Sequence, residues 1–454
     1  CDDKEEAWLH VPPLPFVLAL LLQGLYRFFR LQVVSYALPA LIAVGLCRHI
    51  CVARVRDRRS GWRWLAGALL RRLETLQPSH GGFLDAIPLT AFVCLALQHA
   101  GFGDCAVAQK GYAFLRQSVR TDGSWAIDSN LRTWVTSLAT RGVVAARSWL
   151  PNGDTLVPRA ELERIADWLI SVQLKRRHPF TGAAPGGWAW TDLPGGVPDA
   201  DDTAGALLAL HHLGVRNEAV SNAVAAGIRW LLDLQNGDGG IPTFCQGWTN
   251  LPFDRSAPDL TAHALGAMGV WVEAIDSEPQ TVPAMGRAMD FLEMVQRTDG
   301  SWVPLWFGNQ SVPNKGNPVY GTSRVLTHLS RVPTAYRRRM DTACERAVCW
   351  LLSAQNADGG WGGAPSVASS IEETALAVDA LAQSVGAHHH SPVPAMSEAI
   401  ARGAQWLIDH TEKGRSTPAC PIGLYFAQLW YFEELYPIVF TLTALGKAQA
   451  MLSS

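Results

Sequence analysis

The chain runs to 454 residues, 48% of them hydrophobic and 17% charged, with a formal net charge of −2. That supplies apolar material for one large or two smaller cores, and it excludes a broad basic field for nucleic acid. Eighteen tryptophans are a surplus that points to packing or to the handling of cations, because the indole body is large and its ring face electron-rich.

From the N-terminus, residues 11–26 are the most apolar stretch, broken by Pro12, Pro13, Pro15 and Gln23. No run reaches the roughly 18 consecutive apolar residues of a membrane-spanning helix, so this stretch is read as core or as a segment lying on a membrane. No signal peptide is evident, and a chain beginning with Cys1 rather than Met is expected to continue a longer one. The nine cysteines (Cys1, Cys47, Cys51, Cys94, Cys105, Cys245, Cys344, Cys349 and Cys420) form no CxxC pair and are read as reduced, buried thiols in a cytosolic setting.

One phrase then recurs, a Leu-rich helix ending in Gln or another polar residue, then Gly, then Trp or Phe. It stands at Gln77…Gly81-Gly82-Phe83, Asp122-Gly123-Ser124-Trp125, Gly186-Gly187-Trp188, Gln235…Asp238-Gly239-Gly240-Ile241, Gln296…Asp299-Gly300-Ser301-Trp302 and Gln355…Asp358-Gly359-Gly360-Trp361. The intervals hold two helical patterns each, so the unit is a helix pair joined by a Gly-rich turn. Residues 203–213 and 374–382 are Ala/Leu-rich and helical, and nothing reads as hairpins or βαβ units. Such pairs stack as an open solenoid or close into an α/α barrel, and the small residues of the inner helices favour closure around a cavity. Residues 194–196 and 308–321 are loops by composition. Arg54 to Arg59 and the segment Tyr336 to Met340, with Arg337, Arg338 and Arg339, are basic patches read as solvated charge. His388 to His390 is read as a surface loop rather than a metal site.

The chemistry centres on Asp199-Ala200-Asp201-Asp202-Thr203-Ala204 at a helix start. Alone, such a cluster is a helix cap, since Asp accepts backbone N–H bonds there and meets the positive end of the helix dipole. Here Trp188 and Trp190 precede it. Crowded carboxyls cannot all ionise, and one held protonated among anionic neighbours is a strong general acid. Protonating an alkene needs such an acid, a dry cavity and aromatic faces to stabilise the cation formed.

With these features the chain resembles the squalene-hopene cyclase family of class II terpene cyclases. The resemblance rests on the DADDTA motif, on the Gln…Gly-x-Trp repeats flanking it, and on Pro258-Asp259-Leu260-Thr261-Ala262-His263, which fits an Asp-x-x-Ala-His element. It extends over about residues 14–448. It implies Asp201 as proton donor, Asp199 and Asp202 as flanking acids that tune it, His263 as its hydrogen-bonding partner, and Asp259 as a supporting carboxylate. Trp134, Trp190, Phe244, Trp306, Tyr320, Tyr425 and Phe432 match cavity aromatics, for each of which ordinary packing is the competing role. The implied fold is all-α, with an α/α barrel of helix pairs over residues 61–454. Residues 1–60 are then a linker and a membrane- or cavity-side segment from part of a second helical barrel. The family has a longer stretch before the acid motif, so an N-terminal part is expected to be missing here. Ile241 replaces a repeat Trp, and the last repeat has lost its Gln-Trp phrase.

The expected function is protonation-initiated cyclisation of squalene or a similar linear isoprenoid. No metal or redox cofactor is expected for a hydrocarbon; Mg²⁺ enters only with a diphosphate. The resemblance further implies peripheral, monotopic attachment to the cytoplasmic membrane face and a homodimer. Two other readings stand beside it. One is a cyclase of a shorter prenyl diphosphate or prenylated aromatic, for which no dedicated basic or metal cluster is visible. The other is a non-catalytic α/α toroid, or a relative of protein prenyltransferase subunits, whose Zn²⁺ needs Asp, Cys and His at spacings the cysteines do not offer.

Overall fold

The computed structural model describes residues 7–21, 38–55, 62–178, 182–244, 255–274, 279–385, 393–424 and 429–452. The chain divides into two compact units. The first comprises Cys1–Arg132, Arg176–Ala184 and Ala189–Val197, and the second Thr133–Lys175, Pro185–Trp188 and Pro198–Ser454. The largest segment of the first unit ends at Arg132, and within it residues 38–55 pack against residues 62–76 and 87–100.

The first unit holds α1 (Leu38–Val55), α2 (Trp62–Leu76), α3 (Ile87–Ala100) and α4 (Ala106–Gln117). Its core is Ile42, Leu46, Leu69, Leu73 and Leu97, all fully buried. Of the apolar N-terminal stretch, Phe16 and Ala19 are buried beneath α1, whereas Val17, Leu20 and Leu21 are exposed.

The second unit carries α5 (Arg132–Trp149), α6 (Arg159–Val172), α7 (Ala200–Leu213), α8 (Glu218–Leu234), α9 (Pro258–Trp271), α10 (Thr281–Val295), α11 (Pro318–Leu329), α12 (Asp341–Ser353), α13 (Ile371–Ser384), α14 (Val393–His410) and α15 (Leu435–Leu452). The even-numbered helices are amphipathic. In α8, for example, Val220, Ala223, Val224, Gly227, Ile228 and Leu231 repeat at three- and four-residue spacing on the buried face. Helices α7, α9, α11 and α13 are covered on nearly all sides, and every residue of α11 is buried. Buried all round, they form an inner ring in which α7, α9, α11, α13 and α15 pack in succession. Small residues set the spacing. A Cβ on Gly266 of α9 would lie 3.0 Å from the His328 carbonyl oxygen of α11, so any larger residue would press the two helices apart by a few tenths of an ångström.

Helix α5 closes the ring. Its Trp134 indole N–H donates to the Tyr436 hydroxyl of α15 at 2.6 Å, and its Arg141 makes two hydrogen bonds to Asp379 of α13 at 2.7 and 2.5 Å. On the other side Gly205 of α7 leaves room for Ser137 and Trp134. The unit is the α/α toroid expected. Among the described residues, α15 is the one helix long and apolar enough to cross a membrane, by length and composition only, and half of it is buried within the unit.

The recurring sequence phrase has one structural meaning at five of its six places, the exception being Asp122-Gly123-Ser124-Trp125, whose Trp125 is half-exposed. At the end of an outer helix, the Gln side chain donates to the Gly carbonyl four residues on and to a carbonyl of the next outer helix. Gln235 does so to Gly239 (2.8 Å) and Ala284 (2.9 Å), and Gln296 to Gly300 and Ala343 (both 2.8 Å). The repeat tryptophans then donate back to a helix-end Leu carbonyl, Trp302 to Leu292 and Trp361 to Leu351. The backbone N–H of the Trp position reaches the hydroxyl of a Thr one turn into the next inner helix, namely Thr203, Thr322 and Thr374. Gln173 fills the Gln position before Trp188, donating to Gly186 and Ala223, a member the sequence phrase had left without its Gln.

Three short strands depart from the helix-only expectation. β1 (Phe307–Asn309), β2 (Ile422–Leu424) and β3 (Leu429–Tyr431) form an antiparallel sheet, with Gly308 opposite Gly423 and Gly423 opposite Trp430. At three residues each they fall below the length at which alternation is readable. Two further readings are corrected. Arg337 is buried rather than solvated, and of the described cysteines Cys47, Cys51, Cys94 and Cys344 are buried but Cys349 is exposed. The His388 to His390 tract, Cys1, Cys245 and Arg56, Arg58 and Arg59 lie outside the described residues.

Candidate active site

The acid motif opens α7. Asp199 is its N-cap, and its Oδ1 accepts the Asp202 backbone N–H at 2.8 Å, so one carboxylate of the three does cap the helix. The Asp199 backbone N–H is itself fixed to the Trp188 carbonyl at 3.0 Å, and that of Ala200 to the Thr243 carbonyl at 2.9 Å. This pins the first turn of α7 between two repeat turns. Asp201, two residues on, points elsewhere and meets Nδ1 of His263 on α9 in a short contact.

The four carboxyls differ in exposure. Asp199, Asp202 and Asp259 are sealed at 3–4%, while the Asp201 side chain keeps 16%. Burial pushes the Asp199 carboxyl up to about 7, with the Asp201 charge adding to the rise and the Asp202 hydrogen bonds opposing it. Burial likewise lifts Asp259, at the start of α9, to about 7, again with Asp201 adding. His263 is moved the other way. Burial holds its imidazole below the ordinary value against the pull of Asp201, and Arg324 and Arg331 push in the same direction as burial. The result is one partly open carboxyl on a neutral-leaning imidazole, surrounded by acids that resist ionising.

The aromatic candidates divide. Trp134 is buried with its ring edge-on to His263, centroids 6.5 Å apart. Tyr320, at the first turn of α11, is buried 4.9 Å from the Phe307 ring, and burial raises its phenol well above the usual value. Phe244 stands edge-on to Trp306 at 6.3 Å, and the Trp306 indole N–H donates to Thr243 at 2.6 Å. Trp306 packs with Ala257 and Leu260 beside the start of α9. Trp190 falls in the first unit. Phe432 is 64% exposed in the turn after β3 rather than enclosed, and Tyr425 lies outside the described residues.

Two groups were missed. His328 of α11 stacks on His263 at 4.3 Å, and Tyr436 holds Trp134 in place. Neither sits in a recognisable phrase; their roles come from ring closure, which brings residues far apart in the chain together.

A toroid of helix pairs with an acid–imidazole pair at the start of adjacent inner helices is the arrangement of a class II terpene cyclase acid-bearing domain. Residues 132–450 match the squalene-hopene cyclase C-terminal domain family, and the chain belongs to it. The terpene cyclase-glycosyl transferase fusion protein of Humicola fuscoatra is 29% identical over 70% of this chain and 26% of that protein. The squalene–hopene cyclase of Bradyrhizobium diazoefficiens is 29% identical over 60% of this chain and 40% of that protein. The chain therefore spans less than half the length of either. Among solved structures, ent-copalyl diphosphate synthase from Streptomyces platensis shares the fold with a TM-score of 0.56 at 19% identity, over 92% of this chain and 76% of that one.

Proposed function

We propose that the chain is the acid-bearing part of a protonation-initiated terpene cyclase that converts squalene or a similar linear isoprenoid into a polycyclic triterpene of the hopanoid kind. The observation that carries this is that Asp201, alone of the four clustered carboxyls, is both partly open and backed by an imidazole. In this reading neutral His263 donates its Nδ1–H to one oxygen of Asp201, leaving the proton on the other oxygen for the terminal alkene. The O–H bond breaks as the alkene π pair forms the new C–H bond, and His263 stabilises the carboxylate left behind. Asp199 and Asp259, whose carboxyls burial pushes up to about 7, ionise less readily and so reduce the repulsion on Asp201. Trp134, Phe244, Trp306 and Tyr320 present ring faces to the cations that follow, and loss of a proton or capture of water ends the cascade.

No metal or redox cofactor takes part in such a step; a diphosphate substrate would bring Mg²⁺ with it. The exposed Val17, Leu20 and Leu21 support peripheral attachment to the cytoplasmic membrane face, which vesicle co-sedimentation reads, and a homodimer is the state to expect by sedimentation velocity. The test is incubation of the full-length protein with squalene, farnesyl diphosphate and geranylgeranyl diphosphate, followed by mass spectrometry. Wild type is expected to cyclise squalene, and Asp201→Asn to lose at least ~10³-fold of the rate. Turnover by the Asn variant would remove Asp201 as the acid. Turnover of a diphosphate alone would move the substrate to the shorter prenyl class.

A further inference from the structure

Behind His263, the inner ring of the second unit lines a partly open cavity of about 50 Å³ that the acid chemistry does not use. It touches α7 at Gly205, Leu208 and His212, one to three turns beyond Asp201, so it runs along the ring axis away from the open carboxyl. At the ~10–15 Å³ that one enclosed water requires, it has room for about three to five waters.

Its wall is cationic. Arg141, Arg324 and Arg331 face a single carboxylate, Asp379, and Arg141 already holds that carboxylate through two hydrogen bonds. Arg324 is 7% exposed, and neither it nor Arg331 makes a side-chain hydrogen bond or ion pair among the described residues. Both ring nitrogens of the buried His328 also lack a partner. Burial holds His212 and His328 well below the ordinary imidazole value, with the surrounding arginines adding to the effect, so neither adds charge at neutral pH. Ser137 and Thr443 add hydroxyls from α5 and α15, and no further carboxylate lines the space. Arg331 is half-buried with Asp379 in reach of its charge, but one carboxylate among three guanidinium groups leaves an excess of positive charge that a bound anion would offset.

We infer that this cavity binds one small inorganic anion, a halide or an oxyanion, between Arg324, Arg331 and His328. The anion is a ligand separate from the substrate, because His263 stands between the cavity and Asp201. Its charge offsets the two arginines that oppose an imidazolium at His263, which ties the site to the acid without being needed for binding itself.

The test uses the full chain without turnover. Thermal unfolding is followed at constant ionic strength while gluconate, too bulky for the cavity, is replaced by chloride, bromide or phosphate, and crystals grown in bromide are examined by anomalous scattering. The melting temperature is expected to climb by several degrees over a hundredfold rise in the fitting anion, with an apparent affinity at least tenfold weaker in Arg331→Gln, and a bromide peak is expected beside Arg324 and Arg331. A response to halides alone or to phosphate alone identifies the kind of anion. A wild type indifferent to all three anions, a response kept in full by Arg331→Gln, or a cavity without the peak overturns the inference. Should Arg331→Gln not fold, the bromide peak in the wild type decides.

Discussion

Backbone N–H groups of Asp259, Leu305 and Leu260 support the Asp259 carboxyl, but burial outweighs them, and one of its oxygens has no hydrogen-bond partner among the described residues. A carboxyl in that position binds its proton more tightly folded, at about 7, than unfolded, at its ordinary value of 3.8. Its contribution to stability is therefore whole below about pH 4 and is lost as pH rises through 7, since the folded state must then ionise a sealed group. Replacing it by Asn removes that loss. Asp259→Asn is expected to match wild type near pH 4 and to exceed it increasingly up to pH 8, by at most roughly 4 kcal/mol at ~1.4 kcal/mol per unit. Urea unfolding of both proteins from pH 4 to 8 measures this, and a difference constant across the range would show that Asp259 is not held protonated. Such a gain would mark a residue kept at a cost to stability, as acids that serve a reaction are. The triple acid motif and the His263 phrase were readable in the chain because they are local. Which of the four carboxyls remains open was not, since the 62 residues between Asp201 and His263 are brought together only by α7 lying against α9.

The repeat turn shows how an element-scale pattern is enforced. Each Gln amide makes two buried bonds at once, one closing its own turn and one clamping the neighbouring outer helix, so it fixes both the turn and the stacking of pairs. Gly239 has a φ of +88°, and a Cβ there would lie 2.3 Å from the Arg287 carbonyl oxygen, so this turn accepts only glycine. Gln235→Leu keeps the volume but leaves the Gly239 and Ala284 carbonyls without their donor. The expected cost is about 2–4 kcal/mol, from two lost hydrogen bonds and two desolvated acceptors, read as a lower urea midpoint. A shift below ~0.5 kcal/mol would mean that the clamp is dispensable. The phrase was legible because the same physical task recurs, and Ile241 kept its place because the backbone bond to a Thr hydroxyl, here Thr261, and not the indole, is what the repeats with a Gln clamp share. The three-residue strands were not legible, because each is too short to show alternation, and β1 joins β2 across the distance from Phe307 to Leu424.

At the scale of the whole second unit, closure of the ring depends on contacts between the first inner helix and the last ones. The Arg141–Asp379 pair is the strongest of these by charge, with side chains 15% and 5% exposed. A buried pair of this kind is worth little net compared with apolar packing, because both partners give up water to form it. Removing one partner is another matter. Arg141→Met strands the Asp379 carboxylate inside the ring and is expected to cost about 3 kcal/mol, the low end for a broken buried pair because Arg331 lies near enough to offset part of the charge. In the double variant Arg141→Met with Asp379→Leu, no carboxylate is stranded, and most of that loss is expected to return. Equilibrium unfolding of the two single variants and the double forms a cycle whose coupling energy isolates the pair. Coupling near zero would assign closure instead to the apolar seam and the Trp134–Tyr436 bond. Strong coupling would mean that the ring around the cavity is held by the same charges that make the cavity cationic, so that closing the toroid and leaving one carboxylate among Arg141, Arg324 and Arg331 are two consequences of a single arrangement.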